Sequence, residues 1–329
     1  MKKAAVLGKN RVGLVEASMP ESIGDMVVVK VNVAPMCSEY KTFLSGKETD
    51  CLGHEAVGEV VQASSLSHVQ VGDRVVVMPL NGCGKCGYCL AGDYIHCHSN
   101  TMQDATMAQY VLKPAFILQQ VPDDISDEMA SLACCALGPS FGAFQRMSLG
   151  SYDTILVTGL GPVGLGAVVN AKFRGARVIA VDSNQYRANV AREIGAEVVF
   201  DPRESDLVEQ ILNRLGEPGV DYAIDCSGTV AAHRTCIDAV RRKGQVALVG
   251  ECYNETPIIA SKDFIRKGLT LFGSWHYNLN DFPKLMHMIR TFPPVKELIS
   301  HVYPMTQIQQ AFETSASQQC AKILIKPWE

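Results

Sequence analysis

The hydrophobic positions of this chain follow two different patterns, and the change falls near Ser151. Over roughly the first 140 residues, short apolar runs such as MVVVKVNVA and EAVGEVVQA alternate with turn sequences, which predicts a β-rich domain. Beyond Ser151 the apolar runs alternate with amphipathic stretches of helical length. Such an alternation is typical of a parallel, doubly wound sheet. The sequence therefore predicts an α/β protein in which a β-rich domain precedes a parallel-sheet domain.

The second half can be divided into individual elements. Strands are predicted at residues 154–158, 177–181, 197–200, 222–225, 245–249 and 270–273. Helices are predicted from the first turn to about residue 174, at 205–215 and at 231–241. The tail, residues 281–329, shows two helical segments and a final strand at 321–326, and we expect it to return to the first domain. The predicted domains are residues 1–145 with 285–329, and residues 146–284.

A glycine-rich turn follows the first strand of the second half. Gly159, Gly161 and Gly164 form G-x-G-x-x-G in the run GLGPVG. In such a turn the first glycine allows a tight bend, the second admits a pyrophosphate and the third lets helix and strand pack closely. The next strand ends in Asp182, which lies 18 residues after Gly164, where a ribose-binding carboxylate belongs. The sequence predicts a dinucleotide site, and a glycine turn without a ligand is the weaker alternative.

The same strand end predicts which dinucleotide binds. A carboxylate at Asp182 can accept hydrogen bonds from the ribose hydroxyls of NAD, and it would repel the additional phosphate of NADP. Ser183 follows it, and no basic residue occurs before Arg187. We therefore expect NAD as the cofactor.

The composition excludes several classes of protein. A net charge of −4 over 329 residues argues against a nucleic-acid surface, and no apolar run is long enough to span a membrane. The amino-terminal MKKAAVLGKN turns polar at once, so it lacks the apolar core of a signal peptide. The twelve cysteines fit reduced thiols in a reducing compartment. We expect a cytoplasmic protein with no membrane or nucleic-acid partner.

Four of the cysteines have the spacing of a metal site. Cys83, Cys86, Cys89 and Cys97 stand as C-x2-C-x2-C-x7-C within a glycine-rich loop. Four thiolates at this spacing can surround one tetrahedral ion, which is the pattern of structural zinc. A pair of disulfides is the alternative, and a reducing cytoplasm argues against it.

Together these motifs resemble the zinc-containing medium-chain alcohol and polyol dehydrogenase family over essentially the whole chain. The resemblance rests on the cysteine loop, GHEAVGEV at residues 53–60, VGDRV at 71–75, TMAQYV at 106–111 and the GLGPVG turn. It implies a GroES-like β-barrel catalytic domain and a Rossmann domain. It also implies two Zn²⁺ ions, one structural and one catalytic, and a homo-oligomer.

The resemblance also implies the ligands of the catalytic zinc. These would be Cys37 and His54, with Glu55 as a supporting or transient ligand. The third ligand is expected near the end of a helix over DEMASLACCALGPSFGAF, residues 127–144. Two cysteines compete there, Cys134 and Cys135, and we prefer Cys135.

The segment after Cys37 departs from the family pattern. Where a hydroxyl residue often relays the substrate proton, this chain has Glu39, with Ser38 one position early and Tyr40 replacing the usual Asp. Glu39 could be the general base or a fourth zinc ligand, or an acid on a solvated loop. The proton would otherwise pass to Ser38 or to water.

The activity that the resemblance implies is reversible hydride transfer between NAD and the hydroxyl of an alcohol, a polyol or a sugar derivative. On the cofactor side, Pro162 and Val163 of the glycine turn would contact the dinucleotide, as would Ser227 and Gly250 after later strands.

Two other readings use the same residues. One is a zinc-poor quinone or enoyl-type reductase, against which the cysteines and His54 argue. The other is a zinc-ribbon interaction module joined to a nucleotide-sensing domain, against which the acidic net charge argues.

Overall fold

The computed structural model describes residues 1–65, 67–100, 105–216 and 218–329, and these residues form two compact units. The first unit contains Met1–Cys135 and Asn278–Glu329, and the second contains Ala136–Tyr277. The tail therefore belongs with the amino-terminal residues. The limits 145/146 and 284/285 stay a prediction for the folding domains, because compactness alone does not test independent folding.

The strands, most of them rich in β-branched or other apolar residues, are β1 (Lys2–Gly8), β2 (Arg11–Glu16), β3 (Met26–Pro35), β4 (Ala56–Gln62), β5 (Arg74–Val77), β6 (Tyr110–Pro114), β7 (Leu118–Gln120), β8 (Thr154–Thr158), β9 (Arg177–Val181), β10 (Val198–Phe200), β11 (Val220–Asp225), β12 (Val240–Leu248), β13 (Thr270–Gly273), β14 (Ile299–Pro304) and β15 (Lys322–Lys326). The α-helices are α1 (Tyr40–Ser45), α2 (Gly87–Leu90), α3 (Asp127–Ser131), α4 (Gly138–Met147), α5 (Pro162–Phe173), α6 (Gln185–Ile194), α7 (Leu207–Leu215), α8 (Val230–Ala239), α9 (Phe282–Thr291) and α10 (Ile308–Ser317). Among the described residues no helix combines the length and the apolarity needed to cross a membrane.

The first unit is built around β3. Within its described residues the larger sheet has the order β14-β15-β3-β4-β5-β7, β6 also pairs with β3, and β1 pairs with β2. The neighbours of β3 all run antiparallel to it. Valines 27, 28, 29 and 31 of β3 are fully buried, and Phe312 of α10 packs in the same core. Since β3 pairs with β15, the carboxyl-terminal strand lies inside the amino-terminal unit.

The second unit contains the predicted parallel sheet. In its described part the strand order is β10-β9-β8-β11-β12-β13, and every neighbouring pair is parallel. The order reverses direction between β8 and β11, so the carboxyl ends of these two strands flank a crevice of the kind that binds nucleotides. The β-rich first unit and this parallel sheet confirm the predicted fold class.

Several predicted element limits are wrong. The helix expected at 231–241 ends at Ala239, and Val240 already begins β12 because it pairs with Val220 of β11. The helix expected over residues 127–144 is interrupted, since α3 ends at Ser131 and α4 begins at Gly138. Pro139 lies in the first turn of α4, where its missing N–H costs no helical hydrogen bond. The tail contains an additional strand, β14, which the sequence analysis did not predict.

Candidate active site

The four cysteines of the C-x2-C-x2-C-x7-C motif converge in the structure. Their sulfur atoms all lie within 4.8 Å of one another. The Sγ of Cys86 is 3.6 Å from that of Cys89 and 3.8 Å from that of Cys97, and Cys83 is 4.0 Å from Cys89. A tetrahedral ion with Zn–S bonds of about 2.3 Å would have S···S edges of about 3.8 Å. These four residues therefore fit a closed zinc site.

Backbone N–H groups support the sulfur atoms of this loop. The N–H of Cys86 donates to the Sγ of Cys83 at 3.3 Å, and the N–H of Cys83 donates to Cys97 at the same distance. Hydrogen bonds from the backbone of Lys85 and Cys86 lower the pKa of Cys83 to about 6. A Cβ at Gly82 would lie 2.8 Å from the sulfur of Cys89, so the loop has no room for a larger residue there.

A second cluster joins Cys37, His54, Glu55 and Cys135, whose ligand atoms lie within 4.8 Å of one another. Strand pairing explains how distant residues meet. Cys37 comes two residues after β3, Glu55 comes directly before β4, and these strands are antiparallel neighbours. Cys135 lies in the turns between α3 and α4. The Nε2 atom of His54 is 3.2 Å from the Sγ of Cys135 and 3.7 Å from Glu55 Oε1.

The chemistry of this donor set fits zinc. Two thiols, one imidazole and one carboxylate are the ligand types that catalytic zinc sites use. A hydrogen bond from Cys135 lowers the pKa of Cys37, and although burial opposes this shift, His54 and Lys322 add to it. These neighbours favour the thiolate form of Cys37, whereas the hydrogen bond with Cys37 and burial raise the pKa of Cys135.

The structure separates the two competing cysteines. Cys135 joins the cluster, whereas the Sγ of Cys134 donates to the backbone oxygen of Val77 at 3.5 Å. Both are buried, but only Cys135 faces His54.

Glu39 lies behind His54. Its Oε1 is 3.1 Å from the Nδ1 of His54, and its Oε2 accepts the backbone N–H of Cys37 at 2.6 Å. Burial would raise the pKa of Glu39, but the contacts with His54 and Cys37 outweigh it and the pKa is lowered. An imidazole held at Nδ1 by a carboxylate presents Nε2 to a metal. Glu39 is buried, which argues against the alternative of an acid on a solvated loop, and its position favours support of His54. Ser38 is exposed.

One residue at the cluster was missed by the sequence analysis. Lys322 of β15 is fully buried, and its Nζ lies 2.7 Å from Glu55 Oε1. The other oxygen of Glu55 accepts the backbone N–H of Cys135 at 3.0 Å. Burial would lower the pKa of Lys322, but Glu55 and the thiols raise it above its usual range, so the lysine is charged. A lysine inside the apolar run KILIK was the signal that could have identified it.

The glycine turn in the second unit has the close contacts that the motif predicts. Gly159 has a φ of 78°, and a Cβ there would lie 2.6 Å from Ser227. A Cβ at Gly164 would lie 1.7 Å from the oxygen of Gly159. Gly161 is the N-cap of α5, with Pro162 at its first position and Val163 next. The amino terminus of α5 therefore points its free N–H groups at this turn, as phosphate binding requires.

Asp182 directly follows β9 beside the same turn. Its carboxylate accepts the backbone N–H groups of Leu160 and Asn184. It lines a cavity of about 220 Å³ together with Ser183, Ser227 and Thr229. The N–H of Arg187 bonds to the Asn184 side chain at the start of α6. Gly250 follows β12, and a Cβ there would lie 2.3 Å from the nitrogen of Gly228, so Gly250 lies against the Ser227–Gly228 turn.

Comparisons with known proteins agree with this arrangement. Residues 26–123 match the alcohol dehydrogenase GroES-like domain, and residues 162–291 match the zinc-binding dehydrogenase family. The chain is 30% identical to the D-arabitol-phosphate dehydrogenase of Enterococcus avium, with 97% of this chain and 95% of that protein covered. It is 31% identical to the sorbitol dehydrogenase of Bacillus subtilis, with 99% and 97% covered. The solved alcohol dehydrogenase from Thermus sp. ATN1 is 24% identical, covers 99% of both chains and superposes with a TM-score of 0.89.

The fold and the two cysteine clusters define a zinc-type, nucleotide-linked oxidoreductase. The chain belongs to the zinc-containing medium-chain alcohol and polyol dehydrogenase family, with a GroES-like domain and a Rossmann domain. The family predicted from the sequence motifs is confirmed.

The metal clusters can be tested by counting zinc. We expect about two zinc ions per chain, and about one in Cys37→Ser and in Cys86→Ser. Cys37→Ser should lose turnover but keep the melting temperature, whereas Cys86→Ser should lower it because a closed site contributes to folding. Elemental analysis measures the zinc content, and thermal unfolding measures the melting temperature. Cys51→Ser, which lies outside both clusters, is the control. Full activity in Cys37→Ser would contradict the catalytic assignment.

The buried ion pair can be tested by removing its cation. Lys322→Met leaves the Glu55 carboxylate buried and unpaired, so we expect the free energy of unfolding to fall by about 3–5 kcal/mol. Lys326→Met in the same strand removes partly exposed ion pairs and should cost about 1 kcal/mol or less. Denaturant titration compares the two, and the double variant Glu55→Gln/Lys322→Met should recover part of the loss. Equal losses in both single variants would refute the buried pair.

Glu39→Gln distinguishes support of His54 from proton transfer. If Glu39 holds His54, we expect zinc affinity to fall by about 10- to 100-fold in competition with a chelator, because carboxylate support of a ligating histidine is typically worth that much. The exposed Glu48→Gln serves as a matched control. A loss of turnover of about 100-fold with unchanged zinc affinity would instead identify Glu39 as the general base.

Proposed function

We propose that this protein is a zinc-dependent dehydrogenase that transfers hydride between NAD and the hydroxyl of an alcohol or polyol. The observation that carries the proposal is the cluster of Cys37, His54, Glu55 and Cys135. Its donor types suit a zinc ion with a position left for substrate.

When bound, zinc supplies a Lewis acid that lowers the pKa of a substrate hydroxyl, and NAD supplies the hydride acceptor. Cys37, His54 and Cys135 hold the metal in this proposal. Glu55 pairs with Lys322 and holds the backbone of Cys135, so it supports the cluster, and it would act as a transient ligand only by giving up one of these contacts. Cys134 has a packing role.

The proton of the substrate hydroxyl needs an acceptor. Both oxygens of Glu39 are engaged, one by His54 and one by the N–H of Cys37. Ser38 is exposed and directly follows a metal ligand in sequence. We therefore assign the first proton transfer to the Ser38 hydroxyl or to a water molecule beside it, with Glu39 as a positioning residue.

On the cofactor side, Gly159, Gly161 and Gly164 with the first turn of α5 would bind the pyrophosphate. Asp182 and Ser183 would bind the adenosine ribose in the adjoining cavity. Five further residues are proposed to contact the cofactor, and they lie in or near the loops at the carboxyl ends of β8, β9, β11 and β12. They are Pro162, Val163, Arg187, Ser227 and Gly250.

A polyol is the substrate class that the comparisons favour. The relatives above are named for D-arabitol phosphate and sorbitol, both of which carry several hydroxyl groups. A screen of alcohols, polyols and polyol phosphates with NAD, read as NADH absorbance, tests the proposal. No turnover by a preparation that holds two zinc ions per chain would overturn it. A preparation with one zinc ion per chain and no turnover would favour the zinc-ribbon interaction module. Consumption of NADPH or NADH in the presence of quinones would favour the reductase.

We also propose a cytoplasmic location and a homo-oligomeric state. No disulfide joins the cysteines, all of which lie in the described part of the chain, and this supports a reducing compartment. The oligomeric state rests on the family resemblance, and size-exclusion chromatography with light scattering tests it.

Cofactor choice can be tested at Asp182. Asp182→Gly removes the carboxylate that would bind the ribose hydroxyls and repel a phosphate, so we expect kcat/KM with NAD to fall by about 10-fold or more. Activity with NADP should rise, because Arg187 could then pair with the phosphate. Asp206→Gly, at an exposed site in the same unit, is the control. Greater efficiency with NADP in the unaltered protein would contradict the proposed NAD preference.

A further inference from the structure

A buried carboxylate in the second unit has no role in the site described so far. Asp225 ends β11 and has 0% exposure. Its Oδ1 accepts hydrogen bonds from the hydroxyls of Thr158 at 2.9 Å and Ser227 at 2.7 Å, and from the N–H of Ser227 at 3.0 Å. Its Oδ2 accepts the N–H of Gly228 at 3.0 Å. Asp225 therefore ties the end of β8 to the turn that follows β11.

A buried imidazole extends this network to a third loop. His233 of α8 is 4% exposed, and its Nε2 lies 3.2 Å from Asp225 Oδ2. This distance lies within the range of an ion pair, but the geometry is not that of a hydrogen bond, since Nε2 has no aligned partner in the part of the chain that the structure describes. The other ring nitrogen, Nδ1, is 2.6 Å from the hydroxyl of Thr256. Thr256 lies in the segment that follows β12, so the series Thr256–His233–Asp225 connects that segment to the β11 end.

These loops are packed too closely to move independently. A Cβ at Gly228 would lie 2.2 Å from the oxygen of Glu251, and one at Gly250 would lie 2.3 Å from the nitrogen of Gly228. The backbone N–H of Gly250 donates to the backbone oxygen of Asp225 at 2.9 Å. Because Ser227 also contacts Gly159 of the glycine turn, a shift in one loop must displace the others.

We propose that Asp225 and His233 are positioning residues that hold the loops after β8, β11 and β12 in the shape that accepts a nicotinamide dinucleotide. The inference rests on the proposed NAD-dependent function and adds residues that lie outside the dinucleotide cavity. Thr256 is the contact through which His233 holds the third loop. A loop that is ordered in advance binds its ligand more tightly, because less conformational freedom is lost on binding.

A matched pair of variants at Thr256 tests the proposal. Thr256→Val removes the hydroxyl at nearly constant volume, and we expect the Kd for NADH, from fluorescence titration, to rise about five- to tenfold. Thr256→Ser keeps the hydroxyl and should bind NADH within about twofold of the unaltered protein. With Thr256→Val the KM for NAD should rise, while kcat and the KM for the polyol stay unchanged. A merely structural role would lower the active fraction without this separation.

His233 provides a second, independent test. His233→Asn keeps a polar group near the Nδ1 position, so it loses the contact with Asp225. His233→Gln keeps one near the Nε2 position, so it loses the contact with Thr256. Both variants should therefore weaken NADH binding. His287→Gln, at an exposed site in the first unit, is the control. Equal NADH binding by Thr256→Val and Thr256→Ser would overturn the inference alone, even if the His233 variants fail to fold. Absence of NADH binding by the unaltered protein would overturn the proposed function and the inference with it.

Discussion

The buried ion pair of Glu55 and Lys322 is the interaction on which the first unit depends. Two charges with no exposure are tolerable only as a pair, because an unpaired buried charge is strongly destabilising. The pair can form only if the last strand, β15, lies beside β3 and the start of β4. The same carboxylate holds the N–H of Cys135. The same ion pair thus links the return of the chain to the position of Cys135.

Local patterns in the sequence were sufficient for much of this structure. The glycine turn, the cysteine loop and the β-branched strands are each formed by residues close together in the sequence, so they could be predicted directly. The choice between Cys134 and Cys135 could not, since the two are adjacent and differ only in their tertiary partners, the Val77 oxygen for Cys134 and His54 for Cys135. The end of α8 was predicted two residues too late, and the break after α3 was not predicted. In both places strand pairing or tertiary contacts override the local helical preference.

Both units place an imidazole against a carboxylate, but with different consequences. In the first, Glu39 holds Nδ1 of His54 and leaves Nε2 for a ligand. In the second, the carboxylate of Asp225 lies near Nε2 of His233, and Nδ1 reaches a loop hydroxyl. The first arrangement leaves the Nε2 atom of His54 facing the cluster of Cys37, Glu55 and Cys135, and the second connects two loops. In the two proposals above, the same pair of side chains therefore supports a metal site in one unit and loop geometry in the other.

The acidic thiol of the cysteine loop has a consequence for handling the protein. With a pKa of about 6, Cys83 is largely a thiolate at neutral pH even without metal. Its sulfur lies 4.0 Å from that of Cys89, and thiolates are the form that oxidises. Loss of zinc in air would therefore lead to disulfide formation within the loop, after which added zinc could not rebind until a reductant had acted. Oxidation of this loop would therefore remove the ligands of one zinc ion while leaving the residues of the second cluster chemically unchanged.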